Sequence, residues 1–203
     1  MTATNPLFRL TLAAALGGLA LAAAVPVAFA QGAGGLTFAP AGKIWLTGDS
    51  TLHAYTSTAK QYQASVGSAS RSAAGVTFSD LEVVIPVQAM KSGEGALDDN
   101  MYKALQAAKF ATIRFSAPTG TLRQVRPGVI EADVKGQLSI AGTTRATSLK
   151  ATGTLTGNTL KLKGTKELTM SEFGVKPPVI LGGMIKCSDR IVVHFDLAGQ
   201  IKE

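Results

Sequence analysis

Apolar and polar side chains alternate along most of this chain, most sharply between Val129 and Ile140. Ile130, Ala132, Val134, Leu138 and Ile140 fall on one side, with Glu131, Asp133, Lys135, Gln137 and Ser139 on the other. A period of two is that of a strand with one dry and one wet face. Leu149, Ala151 and Leu155 repeat it against Ser148, Lys150, Thr152 and Thr154. Gly157 and Asn158 then mark a tight turn, after which Leu160 and Leu162 alternate with Lys161 and Lys163. A last strand reads from Arg190 to Leu197, with Ile191, Val193, Phe195 and Leu197 opposed by Val192, His194 and Asp196, which leaves His194 outward and solvated.

The earlier strands are less regular. Lys43 to Thr47, Leu52 to Thr58 and Gln61 to Val66 form an opening set. Val76 to Val87 puts Leu81, Val83, Ile85 and Val87 on one side, and Pro86 marks an edge or an end. Ala111 to Arg123 gives a strand or a pair, with Ile113 and Phe115 inward and a bend at Pro118 to Gly120. Eight to ten strands joined by short turns predict one antiparallel all-β domain, a sandwich or a barrel. One stretch departs from the period. Asp98 to Lys109 spaces Met101, Ala104, Leu105 and Ala108 as a helix does, with Asp98, Asp99 or Asn100 placed to cap it. A single short helix between strands can cover the open end of a barrel.

The first thirty residues belong to none of this. Arg9 precedes an apolar run from Leu10 to Ala24, and Ala28-Phe29-Ala30 supplies the small-x-small end of a secretory signal peptide cleaved after Ala30. A periplasmic or secreted location follows as an expectation, with residues 31–203 as the domain and Gln31 to Gly35 as a loose leader. No cysteine follows the cleavage position, which argues against a lipid anchor there. The shorter chain keeps all but Arg9 of the 20 basic residues and all 13 acidic ones, a net charge of +6. The lysines are spread thinly, without aromatic interleaving, so no nucleic-acid partner is expected. A solvated outer face with weak attraction to anionic membrane head groups fits better. Cys187 is the one cysteine, which excludes an internal disulfide. It fits a small buried hydrophobe, with a reactive thiol or a link in a homodimer as alternatives.

Candidate chemistry is sparse. His53 and His194 are the two histidines, without metal-ligand spacing, and no phosphate loop, dinucleotide fingerprint or nucleophile elbow is present. No metal, no cofactor and no catalysis are expected. His53, in Gly48 to Tyr55, reads either as a donor near a ligand head group or as a structural histidine bonded to Asp49, Ser50 or backbone. The inward side chains are aliphatic with several small ones (Ala132, Gly136, Ala151, Gly153), a pattern that fits a packed barrel and a ligand-holding one equally.

Four segments in order, GDSTLHAY from Gly48, LDDNMYKALQAAKFATIRF from Leu97, VKGQLSIAGTTR from Val134 and LTMSEFGVKPP from Leu168, resemble the YceI-like family. The resemblance spans residues 36–198 and departs at Ala111, where the family usually has proline. It implies an eight-stranded antiparallel lipocalin-like β-barrel with one short covering helix. It also implies a lumen that holds an elongated apolar ligand, a polyisoprenoid or similar lipid. Carried over residue by residue, it places His53 and Tyr55 at a polar rim. Met101, Leu105, Phe110, Ile113, Phe115, Leu138, Ile140, Met170, Phe173, Val193 and Phe195 become lumen or lid candidates. The rival readings are a stress-related or interaction protein with a packed lumen and no ligand, and an accessory to a membrane redox system.

Overall fold

The computed structural model describes residues 36–38 and 42–201. The expected signal peptide (1–30) and leader (31–35) lie outside them. In chain order the elements are β1 (Leu36–Phe38), β2 (Lys43–Ser50), β3 (Tyr55–Ala59), β4 (Gln63–Ser65), β5 (Ser68–Ser72) and β6 (Gly75–Pro86). A 3-10 turn (Val87–Ala89), β7 (Met90–Lys91) and α1 (Gly95–Ala104) follow. Then come β8 (Thr112–Arg126), β9 (Val129–Ile140), β10 (Thr143–Thr156), β11 (Thr159–Thr169), β12 (Val179–Ile180) and β13 (Ile185–Ile201).

All the pairings are antiparallel, along the path β4-β6-β8-β9-β10-β11-β13-β2-β3-β7. Its eight inner members are the expected barrel wall. The other five strands are segments of two to five residues: β4 and β7 end the path, while β1, β5 and β12 attach beside it. The sheet curls until β1 lies beside β4, with Cα atoms within 8 Å, although no ladder joins these two among the described residues. Turn chemistry sets the registers. Ala141 and Gly142 both take positive φ (48° and 80°) between β9 and β10, the two-residue hairpin geometry that matches strand twist. Gly157 (φ 56°) opens the turn between β10 and β11 where the Gly-Asn signal predicts it.

The inward stripes close the barrel at one end only. Leu36, Val76, Leu122, Ile130, Leu155, Leu160 and Ile201 are buried together as a base. The opposite end is where Pro86, Ile140, Thr169 and Ser50 end their strands, and α1 lies across it. Leu97, Met101, Ala104 and Leu105 of this region face down into the interior.

Several expectations need correction. The helix begins at Gly95, three residues before Asp98, and ends at Ala104; residues 105–109 form turns. Asp98 therefore caps nothing. It sits inside the first turn, only 6 % exposed, and accepts hydrogen bonds from the Ser92 backbone N–H (2.7 Å) and Oγ–H (2.8 Å). Pro118 to Gly120 is not a bend between two strands. β8 runs through it, and the disturbance appears as a register shift against β9 between Ser116 and Leu122. β3 starts at Tyr55 rather than Leu52, because Ser50 Oγ accepts the Leu52 and His53 N–H groups and winds that stretch into a bend. His194 is half-buried rather than solvated. Its ring stacks on Trp45 (centroids 5.0 Å apart, planes 6° apart) and its Nε2 lies 3.1 Å from Thr47 Oγ1.

Candidate ligand-binding site

Between the base and α1 lies a cavity of about 250 Å³. That is far more than a water molecule needs (~30 Å³) and just below the common range of small-molecule pockets (~300–1,000 Å³). Its depth comes from small side chains. Ala132 on β9 and Ala151 on β10 are direct cross-strand partners, and both line it. Its waist comes from aromatic rings seated on glycine. The Phe195 ring covers Gly164 so closely that a Cβ there would lie 2.3 Å from the ring and from the Lys150 carbonyl. The Tyr55 ring covers its partner Gly48 in the same way, 2.5 Å from such an atom.

Of the thirteen residues singled out from the sequence, Tyr55, Met101, Leu105, Ile113, Phe115, Leu138, Ile140, Met170, Phe173, Val193 and Phe195 line this cavity. His53 and Phe110 do not. His53 is exposed on the bend at the mouth, its Nδ1–H donating to the Ala54 carbonyl (2.8 Å), so backbone satisfies it. Phe110 packs from outside on the β9–β10 turn, where its ring lies 2.4 Å from the position of a Gly142 Cβ. Among the polar lining residues that escape the sequence reading are Ser57 and Lys166. Each is reached by extending a stripe: Tyr55, Ser57, Ala59 on β3, and Leu160, Leu162, Gly164, Lys166, Leu168 on β11. Gly164 breaks the second stripe, which hides the lysine beyond it.

The mouth carries the remaining polar contacts. The Tyr55 hydroxyl donates to the Cys187 thiol; burial first, then Cys187 and Asp49, pushes its pKa up to about 12. Burial likewise raises the Cys187 thiol, against the lowering effect of the Tyr55 hydroxyl. Because the folded Tyr55 value lies above the ordinary 10, its contribution to stability is whole below pH 10 and is lost as pH rises to 12. Urea midpoints measured from pH 9 to 12 are expected to fall more steeply for the native protein than for Tyr55→Phe. Parallel curves would show that Tyr55 does not carry this term.

α1 is fastened over the mouth from one side. Tyr102 donates its hydroxyl to the Met90 carbonyl (2.7 Å), and the Lys91 ammonium lies 3.7 Å from Asp98 and 5.1 Å from the Tyr102 ring centre. The rim is apolar in part. Leu52, Val179 and Met184 are 64 %, 61 % and 79 % exposed. Thr51 joins their loops through its Oγ1–H to the Met184 carbonyl (3.2 Å) and its N–H to the Lys186 carbonyl (3.0 Å).

A curled antiparallel sheet, closed at its base and roofed by one helix over an apolar lumen, defines a lipocalin-like barrel. The chain belongs to the YceI-like domain family, whose model matches residues 45–198. Among solved structures it is similar to BcnA of Burkholderia cenocepacia (17 % identity, TM-score 0.61, covering 77 % of this chain and 95 % of that one). A polyisoprenoid binding domain from Saccharophagus degradans, implicated in plant cell wall breakdown, aligns at 13 % identity and TM-score 0.62, over 83 % of this chain and 99 % of that one. The Campylobacter jejuni YceI protein aligns at 17 % identity and TM-score 0.56, over 72 % and 85 %. At these identities the likeness is one of fold. No curated protein sequence matches the chain.

Proposed function

We propose that this protein is an exported, non-catalytic carrier that holds one elongated apolar molecule, an isoprenoid or similar lipid, in the barrel lumen. The observation that carries the reading is the cavity itself: about 250 Å³ of space lined by aliphatic and aromatic side chains. Each 100 Å² of chain buried there is worth about 2.5 kcal/mol, so affinity needs few polar contacts. The polyisoprenoid binding named for the Saccharophagus degradans domain supports the same class of ligand. The sequence of residues 1–30 supports export. Exposed Leu52, Val179 and Met184 at the mouth support loading from a membrane surface. A packed lumen without ligand is the rival reading, and the open space between Ala132, Ala151 and α1 speaks against it.

Titration with the apolar fluorophore N-phenyl-1-naphthylamine tests the reading. Saturable uptake of one fluorophore per chain, reversed by farnesol, is expected; no uptake contradicts it.

A further inference from the structure

One hairpin at the mouth has a composition found nowhere else on the barrel. From Pro177 to Ile185 the chain reads Pro-Pro-Val-Ile-Leu-Gly-Gly-Met-Ile, without a single polar side chain, and Lys176 and Lys186 bracket it. No carboxylate occurs from Phe173 to Ser188. Both lysines are exposed, and among the described residues neither enters an ion pair.

The run folds as β12 against the start of β13, with Val179 opposite Lys186 and Ile180 opposite Ile185. Gly182 and Gly183 turn the tip at positive φ (64° and 103°), and a Cβ on either would meet nothing within 4 Å. The tip therefore stands clear of the barrel wall. Its root does not. Pro178 and Cys187, joined by the Cys187 N–H to the Pro178 carbonyl (3.0 Å), both line the lumen. Thr51 ties the Leu52 bend to the same hairpin, so exposed Leu52 stands beside exposed Val179 and Met184.

An apolar tip with a cation at each end of its run matches an anionic bilayer surface. The aliphatic side chains enter the boundary between head groups and acyl chains, and the lysine stems reach back to the phosphates. A second copy of this chain fits the tip poorly. A two-fold contact would set these lysines against the same patch of the partner, which offers no carboxylate from 173 to 188.

We propose that the β12–β13 hairpin, with Leu52, is a docking element that inserts its tip into an anionic phospholipid membrane and sets the mouth of the lumen against it. This rests on the reading of the protein as a carrier loaded from a membrane, and names the element and the surface.

Flotation with phosphatidylcholine vesicles, with and without phosphatidylglycerol, tests it. The native protein is expected to partition at least tenfold more strongly onto the anionic vesicles, and to leave them as salt screens the head groups. Met184→Asp, at an exposed position, should lower that partition at least tenfold with an unchanged thermal midpoint. Lys176→Gln with Lys186→Gln should reduce it to the level of neutral vesicles. Lys150→Gln with Lys161→Gln, which removes the same charge from the outer wall, should leave it in place. In Met184→Trp, brominated lipid should quench an emission that is absent from the native protein, whose one tryptophan, Trp45, lies on the outer wall. Equal partition onto both vesicles, or partition that survives Met184→Asp, would overturn the proposal. A dimer that Met184→Asp dissociates, without vesicle binding, would overturn it in favour of a second copy. Uptake of N-phenyl-1-naphthylamine without vesicles keeps the two readings apart. Uptake with no vesicle binding removes the docking element alone, whereas vesicle binding with no uptake removes the carrier reading.

Discussion

Ala151→Phe is expected to weaken binding of an apolar chain roughly seventyfold while the thermal midpoint stays level or rises. Ala151 faces its partner Ala132 across the deepest part of the cavity wall, and both are lumen-lining. A phenyl ring placed there occupies space the ligand would use. Denying the chain on the order of 100 Å² of contact costs about 2.5 kcal/mol, the stated factor. The sign of the stability change separates an open lumen from a packed one. In a filled core the added ring must displace neighbours, at about 1–3 kcal/mol and several degrees of midpoint. In an open lumen the ring meets space and adds buried apolar area. Thermal unfolding of the ligand-free variant therefore reads the state of the lumen, independently of any ligand chosen for the binding assay.

The second large effect is expected at the helix that covers the mouth. Asp98→Ala should destabilise the protein by about 1–3 kcal/mol, since it leaves the part-buried Ser92 N–H without its acceptor. It also removes an anion from the first turn of α1. Burial alone would raise the Asp98 pKa, but the two hydrogen bonds from Ser92 and the nearby Lys91 ammonium outweigh it and hold the carboxyl below its ordinary range. A lowered folded value gives a contribution that is whole above the unfolded value, near pH 4, and is lost as pH falls through the folded one. Amide exchange in residues 95–104 should accelerate below pH 4 in the native protein. In Asp98→Ala it should already be fast at pH 7. Slow exchange in the variant at pH 7 would show that Tyr102 alone fastens α1.

How much of this was legible in the sequence follows from the physics of each part. β9, β10, β11 and β13 have one wet and one dry face, so a period of two marks their inward residues down to Ala132 and Phe195. β3 is short and polar, Tyr-Thr-Ser-Thr-Ala, and carries no apolar rhythm from which Ser57 could be placed. Lys166 is hidden because Gly164 removes one beat of the stripe, and the reason for that glycine is a ring on the neighbouring strand. The spacing places the start of α1 too late because Asp98 has the chemistry of a cap. Its bonds instead run back to Ser92, a tertiary contact that no local spacing encodes. His53 stands out in the sequence as one of two histidines, yet the Ala54 carbonyl beside it satisfies its Nδ1–H. The size of the lumen was open from sequence, since alanines facing inward serve a tapered packed barrel as well as a hollow one.

Native mass spectrometry of the protein purified without detergent from its own host tests the central claim most directly. The account predicts a polypeptide carrying one small adduct, released by organic solvent as an apolar chain of isoprenoid or related lipid. A bare polypeptide mass, with nothing extractable, would contradict it.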